Sequence, residues 1–310
     1  MFFNYLVKRL LWLLPTVLGV VTLVFFLIHC IPGDPVELML GESAQSVDKE
    51  VLRRELGLDK PVVQQYIDFL SRVARADLGR SLHSQQPVLS LILKKYPATL
   101  ELMLAAIFSA LLISLPLGIT CALKHHSLFD QASLVFSLIG VSMPNFWLGP
   151  LLIILFSLKL GWLPICGRGG IRHLLLPAIT LGVSMSAILT RMVRSSLLDV
   201  LEEEYVVAAR AKGLPYWQVI LKHALKNALI PVISIVGLQI GALLTGSIIT
   251  EMIFAWPGLG RLTIQAIYTR DYPLVQGCVL VVAMSYVLVN LLTDLAYTFI
   301  DPRIRFDYQA

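Results

Sequence analysis

Charge is scarce in this 310-residue chain: Asp, Glu, Lys and Arg make up 15% of it, while 57% of the residues are hydrophobic. The mean hydropathy is +0.77, which is more apolar side chain than one soluble core can bury. A soluble globular class is excluded, and the chain reads as an integral membrane protein. Cysteine is scarce too. Cys30, Cys121, Cys166 and Cys278 are far apart and form no CxxC pair, which leaves them as small packing residues rather than a disulfide or metal set. No GxxxxGK[ST] loop occurs, and GRGG at Gly167 to Gly170 and PGLG at Pro257 to Gly260 lack the lysine and the strand-to-helix setting that phosphate binding needs. The chain is therefore expected to bind no ATP itself. HExxH and GxSxG are also missing, so neither the zinc ligands of a metalloprotease nor the nucleophile of a serine hydrolase is available. The six histidines are scattered except for His125-His126, a pair that reads as a solvated turn.

What is present is apolar and long. A bilayer core takes about 20 apolar residues as a helix, and six runs reach that length: Leu10–Ile31, Ala98–Leu123, Ala132–Leu158, Leu174–Arg194, Pro231–Phe254 and Leu274–Ile300. The first follows Lys8-Arg9 but runs into IPGDP with no small-residue cleavage site, so it reads as a retained anchor. The excess of 25 Lys and Arg over 20 Asp and Glu, a net +5, suits loops facing an anionic leaflet better than nucleic acid. With the N-terminus inside, Lys8, Arg9, Lys124, Arg191, Arg194, Arg210, Lys212, Lys222, Lys226, Arg303 and Arg305 face inward. The short outward segments carry Lys159, Arg168, Arg172, Arg261 and Arg270, leaving aside nine further Lys and Arg in Gly33–Tyr96. That asymmetry favours both termini in the cytoplasm.

Gly33–Tyr96 is too long to vote on orientation. Within it VDKEVLRRELGL and PVVQQYIDFLSRVARADLG carry helical periodicity, with Pro61 in a first-turn position. An external helical segment follows, either a solvated decoration or a docking surface. Inside the spans, Glu101, Glu251 and Asp294 call for a reason, since a mid-bilayer charge costs about 2.5 to 3.5 kcal/mol on insertion scales. All three lie near span ends, and read either as packing positions or as lining of a path or gate. GLQIG at Gly237 to Gly241 spaces two glycines for close helix approach.

A second polar segment lies between the fourth and fifth runs. Leu197–Lys212 reads as one helix with Asp199, Glu202, Glu203 and Glu204 early and Arg210 and Lys212 late, matching the helix dipole. Gly213 suits a left-handed cap and Pro215 the start of a second helix, so residues 197–230 should form a helical hairpin. Ala208, Ala209 and Gly213 are small, while Tyr205, Tyr216 and Trp217 are large amphipathic anchors of the kind that dominate interfaces. Docking of a partner fits this segment. The other reading of it is an amphipathic helix on lipid, favoured by Lys222, His223 and Lys226 and opposed by the carboxylates.

The run YVVAARAKGL followed by KHALKNALIP resembles the cytoplasmic loop of ABC-transporter permeases, in the branch that imports peptides, nickel and glutathione. IPGDP, LGLDKPVVQQY, DLGRSL, GVSMPNFWLG, EMIFAWPGLGRLTIQAIYTRDYPLVQG and DPRIR occur in the same order along nearly the whole chain. The resemblance implies an all-α type I importer permease with six spans in the inner membrane. It also implies a second permease completing the translocation path, two separate ATPase subunits that bind ATP and magnesium, and an extracytoplasmic solute-binding protein. The ATPase-coupling residues it implies are Glu204, Tyr205, Ala208, Ala209, Arg210, Lys212, Gly213 and Pro215. One departure is Val207, which stands where the general loop pattern has a Glu; Glu204 is the nearest substitute. The substrate class implied is small peptides, with nickel complexes or glutathione as alternatives and a non-transporting scaffold as the rival of another class.

Overall fold

The computed structural model describes residues 2–29, 36, 50–51, 53–54 and 59–300. IPGDP, most of VDKEVLRRELGL, Cys30 and DPRIR lie outside the described residues. Among those described the fold is helical throughout, with no strand beyond one isolated bridge between Arg80 and Pro87. We label the helices α1 Phe2–His29, α2 Val62–Ala74, α3 Val88–Leu123, α4 Leu128–Ser142, α5 Asn145–Leu152, α6 Ile171–Leu201, α7 Glu204–Ala211, α8 Tyr216–Gln218, α9 Leu225–Ile253, α10 Leu259–Tyr268 and α11 Tyr272–Ile300. Wider π-helical turns, Ile153–Lys159 and Val219–Ala224, continue α5 and lead into α9.

Among the described residues four stretches are long and apolar enough to cross a membrane: Val88–Leu123, Ile171–Leu201, Tyr216–Leu244 and Tyr272–Thr293. A shorter apolar stretch, Leu11–Phe26, lies within α1. The third expected run is not one straight helix, because α4 and the helix from Asn145 to Lys159 meet at 104°. The cause is Pro144, whose ring disfavours helical backbone at the residue before it; Met143 is accordingly extended, with ψ 113°. Several helices also outrun the apolar stretches that suggested them. At 1.5 Å per residue, the 36 residues of α3 span roughly 54 Å, more than the roughly 30 Å of a hydrocarbon core.

The described residues fall into two compact units, one drawn from residues 1–98 with 258–288 and the other from 99–257 with 289–300. In the first unit, α2 lays its apolar face on α1. The rings of Tyr66 and Phe69 meet Phe25 with centroids 5.3 and 5.7 Å apart, and Thr22 and Tyr66 share a 2.6 Å hydrogen bond. Pro61 caps this helix from just outside its first turn, its carbonyl accepting from the amides of Gln64 and Gln65. Asp271, buried before α11, accepts from Ser81 Oγ at 2.5 Å and from the amides of Leu82 and Leu274 at 3.2 and 3.3 Å. One carboxylate thus caps α11 and ties down the turn ahead of α3.

In the second unit α6 is central: 61% of its apolar window is buried inside the protein, against 33% for α3. Small residues allow the close approach. A side chain at Gly182 would run into Ser109, whose hydroxyl donates to the Ala178 carbonyl at 3.1 Å, and one at Gly237 would run into Thr293. The expectation of a packing glycine in GLQIG thus has a partner at Gly237. Arg194, expected as a plain loop charge, donates from Nε and Nη2 to the two carboxylate oxygens of buried Asp130 at 2.6 and 2.8 Å, joining α4 to α6. Cys121 is a buried free thiol and Cys166 an exposed one.

Candidate functional site

The polar hairpin forms where the sequence placed it, with a different internal break. Leu197–Lys212 is not one helix: α6 carries on to Leu201, the chain turns at Glu202-Glu203, and α7 begins at Glu204. The helix dipole suits the new start, which puts Glu204 in the first turn of α7, where carboxylates are favoured. Glu203 is extended, and its carbonyl accepts from the amides of Val206 and Val207 at 3.0 and 3.1 Å.

The far end of α7 closes on Gly213, which has φ +75° and donates its amide to Arg210 O at 2.9 Å. That left-handed conformation is open to glycine and strained for a β-branched residue. Pro215, extended at ψ 139°, stands one place before α8 rather than inside it. Its carbonyl accepts from the amides of Gln218 and Val219.

The two faces of the hairpin differ in burial. Val206, Ala209, Val219, Ala224 and Ala228 are buried together against Leu197 and against Ala122 at the end of α3. Ala209, expected among the small residues offered outward, is only 7% exposed because it follows Val206 by three residues on one helical face. Tyr205, Ala208, Arg210, Lys212 and Pro215 are exposed, and Tyr216 and Trp217 are each 56% exposed at the tip. The Arg210 guanidinium lies 5.8 Å from the Tyr216 ring centroid, a cation–π distance. Asn227 Nδ2 donates to Tyr205 Oη at 2.8 Å. Val207 and Leu214 are exposed as well, so two apolar side chains that the sequence reading left off the docking list stand on the same surface. At Val207 the signal was there, in its departure from the loop pattern.

Of the three acids set aside for a path or gate, two are brought close. Glu251 is fully buried near the end of α9, and Thr99 Oγ1 donates to its Oε1 at 2.7 Å. Two residues further along α3, Glu101 is partly exposed and takes both Nε and Nη2 of Arg168 on Oε2, at 2.9 and 2.6 Å. Arg168 was read only as a loop charge; its glycine neighbours were the sole hint that the backbone there does something special. Asp294 lies on α11, and its side chain is outside the described residues.

Several helices of membrane-crossing length and a polar hairpin with exposed rings mark a polytopic membrane protein. The chain belongs to the family described as binding-protein-dependent transport system inner membrane component: that family's profile matches residues 114–306, and the profile of its N-terminal membrane component matches residues 2–103. The family is one of transport permease subunits, not of enzymes. The chain is 46% identical to the di/tripeptide transport system permease protein DppB of Pseudomonas aeruginosa (strain UCBPP-PA14), over 97% of this chain and 98% of that one. It is 43% identical to the glutathione transport system permease protein GsiC of Pectobacterium atrosepticum, over 98% and 99%. Against the dipeptide transport system permease protein DppB of Escherichia coli K12 the identity is again 43%, over 97% and 98%. The MetNI methionine ABC transporter, solved in inward-facing conformations, shares the fold with a TM-score of 0.55 at 20% identity, covering 68% of this chain and 96% of that chain. The resemblance drawn from the sequence motifs therefore holds at the level of family and fold.

Proposed function

We propose that this chain is the permease subunit of an ATP-driven importer of small peptides. It pairs with a second, homologous permease to complete the path, two ATPase subunits supply the ATP and magnesium chemistry, and a solute-binding protein delivers the substrate. The chain crosses the membrane six times with both termini in the cytoplasm, with the bent helix from Leu128 to Lys159 as one crossing and α1 as another. The observation that carries the reading is the hairpin: an exposed tip bearing Tyr216 and Trp217 on a base of buried alanines and valines. Such a knob transmits movement when seated in a partner's groove, because its inner face is packed and does not yield.

In the cycle, ATP closes the ATPase pair and draws the hairpins with it. The path passes from inward-facing to outward-facing, and hydrolysis resets it. ATP shifts the population because it binds the closed state more tightly. The coupling surface comprises Glu204, Tyr205, Ala208, Arg210, Lys212, Gly213 and Pro215, with Ala209 holding the inner face. Glu101, Glu251 and Asp294 belong to the path or its gate. The relative that carries glutathione in its name, at 43% identity, favours a second substrate reading, since glutathione is itself a small peptide-like anion. Screening of the co-purifying binding protein against dipeptides, glutathione and chelated nickel separates the substrates.

The coupling assignment is tested by Gly213→Val in reconstituted vesicles. The complex should assemble and hydrolyse ATP while ATP-driven uptake is lost. Uptake at the wild-type level would remove the hairpin from the mechanism.

A further inference from the structure

Between Lys159 and Ile171 the chain passes from α5 to α6 as an irregular strap, Leu160–Gly170. Its root is fixed by the Trp162 amide on Phe156 O at 2.9 Å and by Ser157 Oγ on Pro164 O at 3.2 Å. Its far end is GRGG. Gly167 and Gly170 have φ +92° and +103°, and a side chain on Gly169 would press on the His173 ring, 2.7 Å from Cε1. These glycines let the backbone lie flat and leave Arg168 as the single reaching side chain of the four.

The strap is fastened twice. Gly167 donates its amide to Phe254 O, at the end of α9, at 2.8 Å. Arg168 reaches Glu101 on α3, and its guanidinium carbon lies 5.9 Å from the ring centroid of Trp256, a side chain with no exposed surface. Beneath the strap, His173 Nδ1 is buried and makes no hydrogen bond.

The two fastenings contrast with the bond next to them. Glu251 and Thr99 join the same two helices in a place closed to water, whereas the side chains of Arg168 and Glu101 are 42% and 36% exposed. Water competes for an ion pair so placed, and both partners can be rehydrated without leaving a buried charge. The inner bond is therefore built to last and the outer one to open.

Building on the import reading above, we infer that Leu160–Gly170 is a strap closing the outer end of the path at the α3–α9 contact. The Arg168–Glu101 pair is its latch, released when the path opens outward and remade when it closes. Arg168 and Glu101 act here as positioning residues, holding the strap rather than the substrate.

The test uses the whole importer in vesicles, with Cys30→Ser and Cys166→Ser in the background and Glu101→Cys with Arg168→Cys as the reporting pair. A short thiol-specific bifunctional methanethiosulfonate should bridge the pair in the absence of ATP, as read by mass spectrometry. Uptake should then fall to the level of vesicles without ATP and return on adding dithiothreitol. Uptake that continues at full rate through the bridged protein, or a pair that never bridges at rest, overturns the latch. Separately, Glu101→Gln and Arg168→Gln should each raise ATP hydrolysis in the absence of binding protein, and the exchanged pair Glu101→Arg with Arg168→Glu should bring it back down. No rise in either single variant also overturns it. Wild-type vesicles that take up nothing with ATP overturn the import reading instead, an outcome visible before any cross-linker is added.

Discussion

At the hairpin around Gly213 the polar and aromatic groups face outward and the packing is apolar. Where Thr99 of α3 meets the end of α9 the burial differs, with a carboxylate and a hydroxyl buried together and Phe254 and Trp256 buried just beyond them in the chain. The hairpin leaves its polar and aromatic groups exposed, and its inner face packs against the ends of α3 and α6. The α3–α9 corner serves contacts within the chain, where a buried polar group needs its partner or loses a hydrogen bond that water cannot replace. Truncation is therefore tolerated on one face of the hairpin and not on the other, while at the corner it depends on which hydrogen-bonding atoms remain.

The largest effect on stability is expected from the inner face of the hairpin. Leu197 is fully buried in that cluster, and Leu197→Ala should destabilise by about 2–5 kcal/mol. Thermal unfolding of the purified permease in detergent measures it. Trp217→Ala, on the outer face, should leave the melting temperature near wild type while impairing ATP-driven uptake. If both variants melt alike, the separation of the two faces fails.

An intermediate effect is expected at the corner. Glu251→Leu removes the acceptor of the Thr99 hydroxyl, and a buried donor left without its partner costs about 1–3 kcal/mol. Glu251→Gln keeps an acceptor oxygen and should lose much less. Equal melting temperatures for the two variants would mean that the carboxylate, not the hydrogen bond, is what matters there.

The smallest effect belongs to the pair of Lys60, just ahead of α2, with Asp68 on it. Its 2.7 Å hydrogen bond and the lysine's charge hold the Asp68 carboxyl below its ordinary range. Because the folded-state value is the lower one, its small contribution is present at neutral pH and fades as the pH falls through the depressed titration. The pair is exposed, so Asp68→Asn should melt almost with the wild type at pH 7, and the gap should close in acid. A gap that widens in acid would reverse the sign of the coupling.

The two regions also differ in how far they can be read along the chain. The Gly-Leu-Pro turn was legible because glycine, proline and the charges around them act on backbone within a few residues. The break at Glu202-Glu203 was missed although the carboxylates that favour it were in view, because their preference for an N-terminus fits a helix starting at either Leu197 or Glu204. Pro144 was absorbed into an apolar run whose length argued for a single crossing. Ala209 was grouped with Ala208 as a small residue, and only the packing of Val206 decided that the two face opposite ways.

By itself the sequence determined that this is a helical membrane protein of the binding-protein-dependent permease family with a polar hairpin turning at Gly213. Apolar run length, helix propensity and cap chemistry are local properties, and the family motifs are strings. The tertiary structure alone decided which charges are partnered. Arg168 meets Glu101 across 67 positions, Arg194 meets Asp130 across 64, and Ser81 meets Asp271 across 190. An ion pair or a buried hydrogen bond depends on distances of about 3 Å between groups, and only the packing of the helices brings such distant positions that close.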